Sequence, residues 1–188
     1  MDRAWLNDMA KRSRINPTDV LKEVSRASLT VGVGPKVKGL RATTPKRRRE
    51  IAEACLFCFG WACRIGRPVW VVDDEGADYD FVAVWKNNGD EFFTPVQLKE
   101  VVPTRLNPDA SIQSIIDGLG KYSKDLSVAI RVNQRGMLDL DKITLPSSLK
   151  ISALWVYAAV SQDGSRWWIN GNLIEPGPDE GWFFDYPA

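Results

Sequence analysis

The clearest periodic pattern of the chain begins at Pro45, a residue suited to the first turn of a helix. Apolar residues then recur at intervals of three and four positions, which places them on one helical face. The members of this stripe are Ile51, Cys55, Cys58, Phe59 and Ala62. The spacing predicts an amphipathic helix that buries one face against a core.

Short apolar or alternating runs follow, which is typical of strands. They predict strands at residues 68–72, 79–85, 92–102, 127–132, 151–160 and 166–174. Asn87-Asn88-Gly89-Asp90 is a strong hairpin signal, and Asp163-Gly164 marks a second hairpin. A second helix is expected over residues 109–124. Its apolar face would consist of Ile112, Ile115, Ile116 and Leu119. This order predicts an α/β fold with a mixed central β-sheet flanked by helices.

The N-terminal part of the chain has a different pattern. Residues 1–28 are predicted to be loosely helical, with the cap-like Asn16-Pro17-Thr18-Asp19 ahead of Val20. Glycine and proline among basic residues make residues 30–45 a linker or an exposed loop. We therefore expect a basic N-terminal arm, residues 1–45, and an α/β domain, residues 46–188, with a β-rich C-terminal tail.

Charge is unevenly distributed along the chain. The net charge is +1, but residues 1–49 hold 13 Lys and Arg against 4 Asp and Glu, so the remainder is acidic. A basic arm ahead of an acidic body suggests a polyanion as partner, and a solvated, partly disordered leader is the alternative. Lys46, Arg47, Arg48 and Arg49 crowd the first turn of the predicted helix, where the helix dipole disfavours cations. An incoming phosphate backbone would explain them.

Composition excludes several kinds of chemistry. The chain has no histidine, which removes Ser-His-Asp and Cys-His catalysis and histidine-ligated zinc. Its three cysteines make a poor disulfide framework, and we interpret Cys55-x-x-Cys58 as core rather than as a metal or redox site. No apolar run reaches the roughly 18 residues of a transmembrane helix, and no secretory signal is evident. A cytoplasmic protein without membrane contact is expected.

One group of polar residues is typical of a catalytic site. Asp80 belongs to one strand of the predicted hairpin, and Gln97 and Lys99 share a face of the returning strand. The hairpin would bring a carboxylate, an amide oxygen and an ammonium group together. Hydrolysis of a phosphodiester requires such groups, because a hard cation such as Mg²⁺ takes oxygen ligands and a lysine can orient or deprotonate the attacking water.

The element order around these residues resembles the PD-(D/E)XK nuclease superfamily, which has the restriction-endonuclease-like fold. Asp80 matches the motif aspartate, and Gln97-Leu98-Lys99 matches the Q-x-K form, 17 residues further on. The resemblance covers residues 46–132. No proline precedes Asp80, and Gln97 replaces the commoner acid. Asp78 is an alternative metal carboxylate.

The resemblance implies an Mg²⁺-dependent endonuclease, most simply one that acts on DNA, with Mn²⁺ as a substitute metal. Asp80, the Gln97 oxygen and the Leu98 carbonyl would hold the metal, and Lys99 would position or activate water. The family often adds an acid from the first helix, for which Glu50 is preferred over Glu53 because it lies nearer the edge of the apolar stripe. The phosphate contacts would come from Lys46, Arg47, Arg48 and Arg49.

Several alternatives remain open at this point. The same fold could serve as an inactive nucleic-acid-binding or protein-interaction module, such as an immunity or antirestriction factor. A homodimer is one candidate assembly, because cutting two strands needs two sites. Lys121, Tyr122 and Lys124 are weaker candidates for substrate contact. Trp167-Trp168 and Trp182-Phe183-Phe184 would either stack on bases or close a small β core.

Overall fold

Eight strands lie side by side in one mixed sheet, in the same order as in the chain. The computed structural model describes residues 2–29, 44–134, 138–175 and 181–187. The strands are β1 (Arg14–Ile15), β2 (Val69–Val72), β3 (Phe81–Asn87), β4 (Asp90–Val101), β5 (Ser127–Val132), β6 (Ala153–Ala159), β7 (Arg166–Asn170) and β8 (Trp182–Asp185). The helices are α1 (Arg3–Met9), α2 (Pro17–Leu29), α3 (Pro45–Ile65) and α4 (Ile112–Asp117).

Strand direction changes across the sheet. Strands β1 to β4 pair antiparallel, β4, β5 and β6 are parallel neighbours, and β6 to β8 are again antiparallel. A parallel pair needs a crossover connection, and α4 lies in the crossover from β4 to β5. The predicted α/β architecture with a mixed sheet is therefore confirmed.

The hairpin of β3 and β4 has the expected two-residue turn. Asn88 and Gly89 both have positive φ, 50° and 92°, as a turn that follows the sheet twist requires. The strands pair from Asn87 opposite Asp90 to Phe81 opposite Val96. A two-residue loop sets this register, so the turn also determines which residues of β4 face the beginning of β3.

Helix α3 begins at Pro45, as predicted, and both of its ends are capped. The Thr44 hydroxyl accepts a hydrogen bond from the Arg47 N–H at 3.2 Å, Pro45 follows, and Gly66 ends the helix with φ 66°. Cys55 and Cys58 are buried free thiols, and burial raises the pKa of both. Their expected place in the core is confirmed.

The two faces of the sheet carry different helices. Ala129 of β5 packs in the cluster that contains α3, whereas its neighbours Val128 and Ile130 pack with α4. Side chains alternate along a strand, so α3 and α4 lie on opposite faces. Helix α4 is shorter than the expected 109–124, because a 3-10 turn replaces it at Gly118–Lys121. Gly118 and Gly120 in this turn favour the break.

Residues 2–29 pack on the same sheet as the rest of the chain. Asn16 caps α2 by accepting from the Thr18 N–H at 3.0 Å, as expected, and Val20 and Leu21 are buried beside α3. Strand β1, which no sequence pattern predicted, has two residues and pairs with β2. Residues 30–43, most of the predicted linker, lie outside the described residues.

The C-terminal tail forms the far edge of the sheet. The predicted hairpin of β6 and β7 is present, and Gly164 in its turn has φ 74°. Strand β8 was not predicted. Its Phe184 is buried against Phe59 of α3, with ring centroids 5.9 Å apart, and Trp167 of β7 is buried in the same core. These two aromatics therefore close the core, whereas Trp182 and Phe183 are exposed. No helix in the described ranges could cross a membrane.

Candidate functional site

Asp80 lies directly before β3 and opposite Gln97 of β4. Its backbone N–H donates to the Val96 carbonyl at 2.9 Å, which extends the pairing of the two strands by one residue. Side chains of opposed residues share a face of the sheet. Asp80, Gln97 and Lys99 therefore share the face that carries α4. Asp78 is exposed and lies in a bend before β3.

The Asp80 carboxylate takes the place of a missing backbone acceptor. Strand β4 extends past the beginning of β3, and there Oδ2 of Asp80 accepts from the Leu98 N–H at 2.6 Å. The Gln97 side-chain amide also donates to Oδ2 of Asp80 and to the Leu98 carbonyl, the latter at 3.2 Å. The Gln97 amide thus links the Asp80 carboxylate to the Leu98 carbonyl, which brings together the three groups expected at a metal site.

Lys99 is held beside this group without an ion pair to any described residue. Its Nζ lies 5.5 Å from the centre of the Tyr122 ring. The Lys99 charge also acts on Asp80, where it lowers the pKa of the carboxyl. Tyr122 was expected only as one of the weaker candidates for substrate contact, and its contact with Lys99 was not predicted.

The pKa of Asp80 is raised above its ordinary value. The main cause is burial, which disfavours the charged carboxylate, and the nearby Glu50 raises it further. The Leu98 hydrogen bond and the Lys99 charge oppose these effects without cancelling them. A cation bound at Asp80 would offset this cost.

The two acids of α3 have different partners. Glu50 is close enough to Asp80 to raise its pKa, and it forms ion pairs with Arg47 at 3.4 Å and Lys46 at 3.6 Å. Glu53 instead forms an ion pair with Arg131 of β5. Of the two, Glu50 is the acid whose charge acts on Asp80, although α3 packs on the other face of the sheet.

The basic first turn of α3 has carboxylates as neighbours. Nε of Arg47 donates to Oδ1 of Asp73 at 2.9 Å, and Nη1 lies 3.6 Å from Glu75 in the acidic turn after β2. These contacts explain how a cation is tolerated at a helix N-terminus. Lys46, Arg48 and Arg49 are exposed, so their side chains are the accessible members of the cluster.

The donor set suits a hard cation that keeps part of its water shell. Asp80 and Glu50 supply carboxylates, and Leu98 supplies a carbonyl. Rotation of the Gln97 amide by 180° would present its oxygen in place of its nitrogen. No cluster of three or more Asp, Glu, Cys or His side chains that could hold a metal occurs among the described residues. Two carboxylates with neutral oxygens and water nevertheless fit Mg²⁺, which commonly binds through one or two carboxylates.

Comparisons with protein-family models, with curated proteins and with solved structures give no match for this chain. Function is therefore inferred from the chain's own residues. The strongest candidate is the group formed by Asp80, Gln97 and Lys99, with Glu50 acting on Asp80 through its charge.

Proposed function

We propose that this protein is a metal-dependent nuclease that hydrolyses phosphodiester bonds, most simply in DNA. The observation that carries this proposal is the position of Asp80, whose carboxylate meets the Leu98 backbone and the Gln97 amide on the face that carries Lys99. A carboxylate, a neutral oxygen donor and an ammonium group at one place are what phosphodiester hydrolysis requires.

The order and direction of the elements support the same proposal. Helix α3 precedes the antiparallel strands β2, β3 and β4, and after α4 the chain returns in β5 parallel to β4. This succession, with the two helices on opposite faces, resembles the core of the PD-(D/E)XK nucleases. We propose the restriction-endonuclease-like fold on this ground.

Each residue has a distinct role in the proposed reaction. Asp80, Glu50, the Gln97 oxygen and the Leu98 carbonyl would hold Mg²⁺ or Mn²⁺. The bound cation would polarise the phosphodiester and favour ionisation of water. Lys99 would donate hydrogen bonds to the phosphate or orient the attacking water.

Contacts away from the reacting atoms would come from the exposed cations of α3. Lys46, Arg48 and Arg49 would contact phosphates along the strand, which gives affinity without sequence preference. Arg47 would act indirectly, through its ion pair with Glu50.

The test is a cleavage assay on single-stranded DNA, duplex DNA, forked DNA and RNA, with Mg²⁺, Mn²⁺ or EDTA. Wild type should cleave at least one substrate, and only with metal. Asp80→Asn and Lys99→Met should each lower the rate by about 100-fold or more. Asp78→Asn, the matched carboxylate change two residues away, should leave the rate within about 2-fold of wild type. Calorimetry should show Mn²⁺ binding that Asp80→Asn weakens.

An inactive binding module on the same fold is the second candidate. The observation in its favour is that the Gln97 amide already satisfies the Asp80 carboxylate. Nucleic-acid binding with no cleavage of any substrate in either metal would support this candidate and contradict the nuclease. Cleavage that persists in both Asp80→Asn and Lys99→Met would contradict the proposed site.

A further inference from the structure

Tyr122 lies at the boundary between the core and the candidate site. It follows the 3-10 turn at Gly118–Lys121, and its N–H donates to the Leu119 carbonyl at 3.0 Å. The residue is only 6% exposed and packs with Ile116 and Leu126. Packing in the core, rather than contacts at the surface, therefore fixes the position of its ring.

The ring faces an ammonium group that no ion pair holds. Nζ of Lys99 lies 5.5 Å from the ring centre, within the range of a cation–π interaction. In the described parts of the chain, Lys99 forms neither a hydrogen bond nor an ion pair through its side chain. Asp80, the acid on the same face of the sheet, uses Oδ2 for the Leu98 N–H and the Gln97 amide.

This arrangement differs chemically from a salt bridge. A carboxylate partner would neutralise the lysine charge and take up its N–H donors. An aromatic face attracts the cation through its quadrupole and leaves both the charge and the outward N–H groups available. A flexible lysine can thus be held in place while it remains able to bind an anion.

We propose that Tyr122 is a positioning residue, which holds the Lys99 ammonium at the site for a substrate phosphate or the attacking water. The proposal rests on the proposed nuclease function. Lys121 lies on the same ring, with Nζ 5.2 Å from its centre, but it is exposed and belongs to the 3-10 turn rather than to β4. It therefore serves as a matched control.

The first measurement uses no substrate. Protons above an aromatic ring are shifted upfield in the NMR spectrum, and the ε-CH₂ protons of Lys99 can be assigned by comparison with Lys99→Arg. These protons should be shifted upfield in wild type and in Tyr122→Phe, which keeps the ring. In Tyr122→Leu they should move to the position of an exposed lysine such as Lys46.

The second measurement separates kcat from KM. Tyr122→Leu should lower kcat by about 3- to 30-fold with little change in KM, because it removes orientation rather than substrate contact. Tyr122→Phe and Lys121→Met should keep kcat within about 2-fold of wild type. Ile151→Val, a conservative change in the same core cluster, controls for loss of stability.

Two results would overturn the proposal: no upfield shift of Lys99 in wild type, or equal kcat in Tyr122→Leu and Tyr122→Phe. A wild-type protein that cleaves no nucleic acid would overturn the nuclease function instead. The lysine shift would then still show whether the ring holds the ammonium group, so the two failures are distinguishable.

Discussion

The carboxylate of Asp80 accepts a hydrogen bond from the backbone N–H of Leu98, 2.6 Å away, where β4 extends past the beginning of β3. On the β3 side of Leu98 a side chain thus supplies the acceptor that no residue of β3 provides. Burial and the charge of Glu50 raise the pKa of the same carboxylate, and the charge of Lys99 lowers it. Its structural and proposed chemical roles can be separated by substitution.

Removal of the Asp80 carboxylate should destabilise the fold. Asp80→Ala leaves the Leu98 N–H without its acceptor, which should lower the free energy of unfolding by about 1–3 kcal/mol. Asp80→Asn keeps an acceptor oxygen and should therefore lose less stability than Asp80→Ala. Urea denaturation measures both, and Asp78→Ala, at an exposed position, should change stability by less than about 0.5 kcal/mol. Equal losses for Asp80→Ala and Asp78→Ala would show that the hydrogen bond contributes nothing.

The raised pKa of Asp80 predicts a pH dependence with a definite sign. Because the folded pKa is higher than the unfolded one, the fold favours protonated Asp80. This contribution to stability is fully present below about pH 4, the ordinary value of a free Asp, and is lost as pH rises through the folded pKa. The stability of wild type relative to Asp80→Asn should therefore fall with rising pH across that window and then level off. Denaturation from pH 3 to 8 tests this, and a relative stability that increases with pH would contradict it.

Glu53 and Arg131 form a half-buried pair beneath Trp167. Burial lowers the pKa of Arg131, and Oε2 of Glu53 is buried without a hydrogen-bond partner among the described residues. Arg131→Met should cost about 2–4 kcal/mol, because it leaves the carboxylate uncompensated. The double variant Glu53→Leu/Arg131→Met should recover most of this loss in urea denaturation. If the double variant is no more stable than Arg131→Met, the uncompensated charge of Glu53 is not the cause of the lost stability.

Gly60 of α3 allows β8 to approach the helix closely. A Cβ atom at this position would lie 2.6 Å from Cε1 of Phe184, a buried ring that has little room to move. Gly60→Ala should therefore lower the free energy of unfolding by about 1–3 kcal/mol, although alanine is the better helix former. Thermal denaturation should show a much smaller effect of Gly60→Ala in a Phe184→Leu background. If Gly60→Ala lowers stability equally in wild type and in Phe184→Leu, contact with the Phe184 ring is not the cause of the loss.

The sequence was sufficient for features that depend on neighbouring residues. The Asn88-Gly89 turn predicted the β3–β4 hairpin, which places Asp80 beside β4, and strand alternation predicted the shared face of Gln97 and Lys99. The start of α3 could also be predicted, because a proline in the first turn acts locally. The roles of these three residues in catalysis stay predictions until cleavage is measured.

Tertiary structure determined which groups meet across elements. A helical wheel gives the direction of Glu50 and Glu53 but not what lies opposite, so the influence of Glu50 on the pKa of Asp80 and the pairing of Glu53 with Arg131 emerged only from packing. The Lys99–Tyr122 contact likewise joins β4 to the end of the α4 crossover. Strand β8 was missed because its aromatic residues show no simple alternation, and its pairing with β7 and burial against α3 are long-range contacts. Such contacts depend on the relative positions of whole elements, whereas periodicity and turn signals depend only on residues close in the chain.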